Sequence, residues 1–151
     1  MRAAIAGACA FALSYLASPA SAQVPVPDET TQARLVWSTM IAVDNANRTG
    51  NYSVLHSLAS TELQTSVTPD GMADVLAELR ERRVDVGRAL LIAPEYAMPP
   101  SITPEGQLRL RGGFEFRPSP LRFDLLYVLE GGGWRLDGIS IAEMDGSTPL
   151  R

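Results

Sequence analysis

Two polar residues interrupt the apolar face of an otherwise regular helical pattern, and they are the first candidates for chemistry. Ala33, Val36, Trp37, Met40, Ile41 and Val43 share one broad helical face, and Asp44 and Asn47 fall near its middle. A carboxylate set among apolar groups loses hydration, which favours its protonated form and suits it to act as a general base or acid. The same two residues stand near the helix's end, where Asp and Asn also serve as caps. His56 is the single imidazole, placed beside Tyr52 on a following short helix. No Ser or Cys nucleophile motif accompanies it, so no triad can be traced. Tyr96 and Tyr127 offer phenols, and Trp37 and Trp134 offer flat rings, to a ligand or simply to the core.

Composition closes several other routes. All 13 basic residues are arginine, which excludes Schiff-base chemistry on lysine. One His and one Cys leave no His/Cys metal site to build, and no cofactor is implied. Gly131-Gly132-Gly133 lacks a following Lys, Ser or Thr and a following helix, so it is not a phosphate loop. A net charge of −4 argues against nucleic acid as a partner.

The elements that must position these residues divide the chain in two. Asp28, Thr30 or Thr31 caps a helix running to about Asn47. Gly50 breaks it, and Asn51 opens a short helix to about Ala59 with Val54, Leu55 and Leu58 inward. Thr68-Pro69-Asp70 starts a third helix through about Arg83, striped by Met72, Val75, Leu76 and Leu79. The hydrophobic period then changes from 3.6 to 2. Residues 89–97 read as an extended apolar segment bent by Pro94. Leu108, Leu110, Phe114 and Phe116 alternate with arginines, and Gly112-Gly113 between them predicts a bulge or bend. Leu121, Phe123, Leu125, Tyr127 and Leu129 form the next inward row. A glycine hairpin leads to a last strand, residues 134–142, where a bulge at Gly138 would return Ile139 and Ile141 to the face of Trp134 and Leu136. The prediction is an α+β fold, with three N-terminal helices packed in the concave face of a curved antiparallel sheet of about four strands.

Residues 1–22 are expected to be a signal peptide. Arg2 is followed by an uncharged apolar run to Leu16 and by Ala20-Ser21-Ala22, a small-x-small cleavage site. Cleavage near Ala22 would place the product in the periplasm or outside the cell and remove Cys9, the only cysteine. Residues 23–27 form an extended lead-in, 28–144 the single domain, and 145–151 a frayed tail. No second apolar run is long enough for a membrane span.

The element order, the Thr49-Gly50-Asn51-Tyr52 break and the closing Gly133-Trp134-Arg135-Leu136-Asp137-Gly138-Ile139 strand resemble the nuclear-transport-factor-2-like superfamily. Its fold, also called cystatin-like, is a cone of helices in a curved sheet. More narrowly the chain is similar to uncharacterised exported bacterial members. That resemblance implies a pocket between the helices and the concave sheet face, lined here by Trp37, Met40, Asp44, Asn47, Tyr96, Phe114 and Tyr127. It also implies pairing of two copies through the outer sheet face, where Leu126 and Val128 are ringed by Arg109, Arg111, Arg117, Arg122 and Arg135. The superfamily hosts enzymes and binding modules alike, so fold does not fix activity. The residues favour a non-catalytic domain that binds a small apolar ligand or a protein partner. The alternative is an isomerase or dehydratase with Asp44 as base and His56 or a tyrosine as electrophile.

Overall fold

Of the three candidate caps, Asp28 starts the first helix. Its carboxylate accepts the Thr31 backbone N–H at 2.8 Å, and this bond holds its pKa below the usual carboxylate value. The computed structural model describes residues 24–117 and 119–144, leaving the expected leader (1–22) and tail (145–151) outside the described residues. Helix α1 spans Glu29–Thr49 and ends on Gly50 in the left-handed conformation, φ 73°, which closes the helix through its N–H to Ala46 O.

Four short helices follow: α2 (Ser53–Leu58), α3 (Thr61–Ser66), α4 (Pro69–Val75) and α5 (Ala77–Glu81). The single third helix expected from Pro69 to Arg83 is thus two, parted at Leu76, whose φ and ψ of −101° and 12° leave the helical range. Helix α3 is an addition to the sequence reading. Ser60 caps it by accepting the Leu63 N–H at 3.0 Å. The start of the segment 89–97 also differs from expectation: residues 89–91 belong to a 3-10 helix, Val86–Leu91, rather than to extended chain. The i, i+3 pair Val86 and Ala89 is thereby fully buried beside α1.

The sheet is antiparallel, open and curved, with five strands: β1 (Glu95–Tyr96), β2 (Ser101–Ile102), β3 (Leu108–Phe114), β4 (Leu121–Glu130) and β5 (Gly133–Glu143). The two short strands pair along the same edge of β3, which pairs with β4, and β4 with β5. Gly131 and Gly132, both at positive φ, make the two-residue β4–β5 turn. The fold is therefore α+β as predicted, with more and shorter elements than the hydrophobic periods alone resolve.

Two glycine expectations resolve differently. The β3–β4 register runs through Gly112 and Gly113 without a shift, so no bulge forms there. A side chain is absent because a Cβ on Gly112 would lie 2.2 Å from the Glu95 carbonyl oxygen of β1. The bulge falls instead on β5. Leu126 pairs with Gly138 and Tyr127 with Leu136, leaving Asp137 as the extra residue. That one-residue insertion keeps Leu136, Ile139 and Ile141 on one face, as the alternation predicted.

The core joins α1 to this face. Val36, Met40 and Val43 are buried with Leu108, Leu110, Phe114, Leu125, Tyr127 and Leu136. Trp37 and Ile41 are not part of it; they lie exposed on the opposite side of α1, and Val54 likewise faces solvent. Thr39 and Gln32 are buried in their place. Each can enter because its polar atoms are bonded: Gln32 donates to the Pro27 carbonyl at 2.7 Å, and Thr39 bonds Tyr127.

Candidate functional site

Asp44 is one turn further inside α1 than a cap would be, because the helix continues to Thr49. Its carboxylate accepts the backbone N–H of Gly87 at 3.1 Å and lies 3.7 Å from the Arg48 guanidinium. A Cβ on Gly87 would sit 3.1–3.2 Å from all three carboxyl atoms, so the 3-10 helix rests directly on this group. The carboxylate expected to serve as base is thus an anchor between α1 and the Val86–Leu91 segment. Its acceptor sites are directed at backbone and guanidinium donors.

Asn47 belongs to a separate network. Tyr52 donates its hydroxyl hydrogen to Asn47 Oδ1 at 2.7 Å and accepts from Arg80 at 2.9 Å. This ties α1 to the α4–α5 region, while Asn47 Nδ2 is buried without a partner among the described residues. His56 sets Nε2 2.9 Å from the Val67 carbonyl and 3.3 Å from that of Gln64. Carbonyls only accept, so Nε2 carries the hydrogen and the ring fastens the end of α3.

The remaining expected pocket residues fall into the core or apart from it. Met40 and Phe114 are fully buried side chains. The Tyr127 hydroxyl is 3.0 Å from the Leu35 carbonyl and 2.9 Å from Thr39 Oγ1. Its single hydrogen goes to the carbonyl, so Thr39 must donate to it. Burial raises the Tyr127 pKa well above the ordinary phenol value. Tyr96 packs edge-on to Phe123, ring centroids 6.4 Å apart, and its buried hydroxyl has no partner among the described residues. Desolvation, then the charge of Glu29, raise its pKa as well. Trp37 lies on the outer side of α1, away from Met40 and Tyr127. Of the seven residues, Met40, Phe114 and Tyr127 make the core, Tyr96 packs against it, Asp44 and Asn47 anchor helices, and Trp37 lies on the outer side of α1.

The outer sheet face carries the cross-strand charge pairs that the alternation suggested. Arg109 binds Asp124 through two nitrogens at 2.9 and 2.5 Å, with Arg111 at 3.7 Å from the same carboxylate, and Arg122 pairs with Glu115 at 2.9 Å. Leu126 packs over Gly138, and with Val128 it is half-buried. Asp137 is withdrawn from this face by the bulge. It accepts from Ser60 Oγ and from Gln107 Nε2, locking the α2–α3 junction to the sheet.

A different space is present at the edge of β5. Leu63 and Val67 of the α3 region, Met72, Val75 and Leu76 around α4, and Gly138 and Ile139 of β5 line a cleft of about 160 Å³. No lining side chain carries a polar group. The sequence reading missed it because α3 was unassigned and Val75 was taken as core, whereas Val75 is 62% exposed at the cleft. A signal was available in Ser60-Thr61-Glu62, a cap with an acidic first turn. Among the described residues no three of His, Cys, Asp and Glu gather as a metal site, and no helix is long and apolar enough to cross a membrane. Comparison with protein-family models, with curated proteins and with solved structures returns no match to this chain.

Proposed function

We propose that this chain is an exported, non-catalytic domain that binds a small apolar ligand in the cleft between α3, α4 and β5. The cleft itself carries the reading. Its volume of about 160 Å³ is close to that of a cavity of about 150 Å³ that admits benzene, and its aliphatic and thioether lining offers a hydrocarbon dispersion contacts with no polar group to desolvate. The engagement of the candidate catalytic groups supports the same reading. Asp44 anchors a backbone segment, His56 holds a carbonyl, and Tyr127 is fully hydrogen-bonded in the core. The resemblance to the nuclear-transport-factor-2-like superfamily, which includes pure binding modules, is compatible with it, as is the signal-like N-terminus.

Methyl-resolved NMR with toluene as probe tests this. Shifts should be confined to methyls of Leu63, Val67, Met72, Val75, Leu76 and Ile139, and Val67→Phe, which fills the cleft, should abolish them. Toluene shifts elsewhere, or none at saturation, would count against the reading.

A further inference from the structure

Helix α1 buries one side only. On the other, Trp37 and Ile41 remain 36% and 42% exposed, and with Ala33 they line an open groove of about 560 Å³. The two large apolar side chains are four residues apart, about one helical turn, centred on residue 39. Each charge on the helix is matched by an opposite one at a like distance across that centre, Arg34 by Asp44 and Glu29 by Arg48. Glu29 stands in the first turn and borders the groove; Arg48 stands in the last, with its side chain 76% exposed.

We infer that α1 pairs antiparallel with α1 of a second copy of this chain, about a twofold axis through residue 39. That axis sets Trp37 of each copy against Ile41 of the other. It also brings Glu29 of each copy level with Arg48 of the other, offset by about 1.5 Å along the axis. A parallel arrangement would oppose Glu29 to Glu29 and Arg48 to Arg48, so charge selects the antiparallel one. The helix dipoles oppose in the same sense. The occupant is a second copy because the face is self-complementary under this one operation, as a twofold interface requires.

Sedimentation equilibrium of the purified protein, its chain ends checked by mass, reads the association directly. A monomer–dimer equilibrium is expected. Ile41→Glu, which sets a carboxylate against Trp37 of the other copy, should weaken it at least about tenfold. The side chain is exposed, so an unchanged thermal melt will verify the fold. Glu29→Arg and Arg48→Glu should each weaken the dimer about two- to tenfold at low salt, and the double swap should restore it. A protein that stays monomeric up to about 500 μM, a dimer indifferent to Ile41→Glu, or single charge variants that the double swap does not rescue would each overturn the proposal.

Discussion

Asp44 and Gly87 form a pair whose coupling can be measured, and it decides whether the carboxylate is an anchor. Asp44→Ala removes the acceptor of the Gly87 N–H, now 3.1 Å away, from a side chain only 14% exposed. Leaving that donor unsatisfied costs about 1–3 kcal/mol, or a Tm drop of roughly 3–10 °C for a domain of this size. Gly87→Ala in the native background drives a methyl against the carboxyl group at 3.1–3.2 Å, stretching the same bond. It should therefore destabilise by about 1 kcal/mol or more. With Asp44 already alanine, the three nearest contacts of that methyl are gone, and the reduced freedom of the unfolded chain should make Gly87→Ala stabilising by about 0.4–1 kcal/mol. Urea unfolding of the four proteins gives the cycle, and a coupling of at least about 1 kcal/mol is expected. Asp44→Asn, which keeps one carbonyl oxygen as acceptor, should retain most of the stability. If Gly87→Ala costs the same in both backgrounds, or Asp44→Ala is neutral, the anchor assignment would be refuted.

Three further outcomes follow from the same geometry. The Tyr127 phenol, held protonated by burial beyond the ordinary value of about 10, keeps a proton the unfolded chain releases, so stability is intact below about pH 10 and falls as pH rises above it; Tyr127→Phe should flatten that alkaline limb in melts from pH 8 to 11 while costing about 1–3 kcal/mol at neutral pH through the buried Thr39 hydroxyl left without its acceptor. Gly112→Ala should cost about 1–3 kcal/mol and selectively raise amide exchange in β1, because the new methyl collides with the Glu95 backbone oxygen; unchanged exchange at Glu95 and Tyr96 would contradict the close approach. Asp137→Ala should destabilise by about 1–3 kcal/mol, since the Ser60 hydroxyl and the Gln107 side-chain amide both lose their acceptor at the bulge; the loosened junction should speed exchange of the Ser60 N–H, which the Leu136 carbonyl holds there, and a stability unchanged by the substitution would count against that role.

The periodicities that made the fold legible are those enforced by burial on one side. The inward row Leu121, Phe123, Leu125, Tyr127 was readable because a two-sided sheet must alternate, and the return of Ile139 and Ile141 was readable because a bulge alone reconciles them with Leu136. Patterns failed where apolar residues outnumbered the available interior. Trp37, Ile41, Val54 and Val75 match helical stripes yet lie exposed, since hydrophobicity states that a residue can be buried and not that a neighbour is there to bury it. Residues 89–91 read as the start of an extended segment, yet they belong to the 3-10 helix Val86–Leu91, whose Gly87 N–H is held by a carboxylate more than forty residues away.

The sequence by itself determined the α+β class, a helix start within residues 28–31 and its stop at Gly50, the glycine hairpin and the inward rows of the sheet. Each follows from local backbone chemistry or from a period of two or 3.6 residues. Only the tertiary structure decided what the polar candidates do. Asp44 and Tyr127 are bonded to groups 43 and 92 residues away, while Asn47 and His56 are bonded across the breaks between helices, and a side chain's availability for chemistry depends on which donors and acceptors folding brings against it. The apolar cleft at β5 has the same origin. Its walls come from α3, α4 and β5, and a space between elements exists only once they are packed.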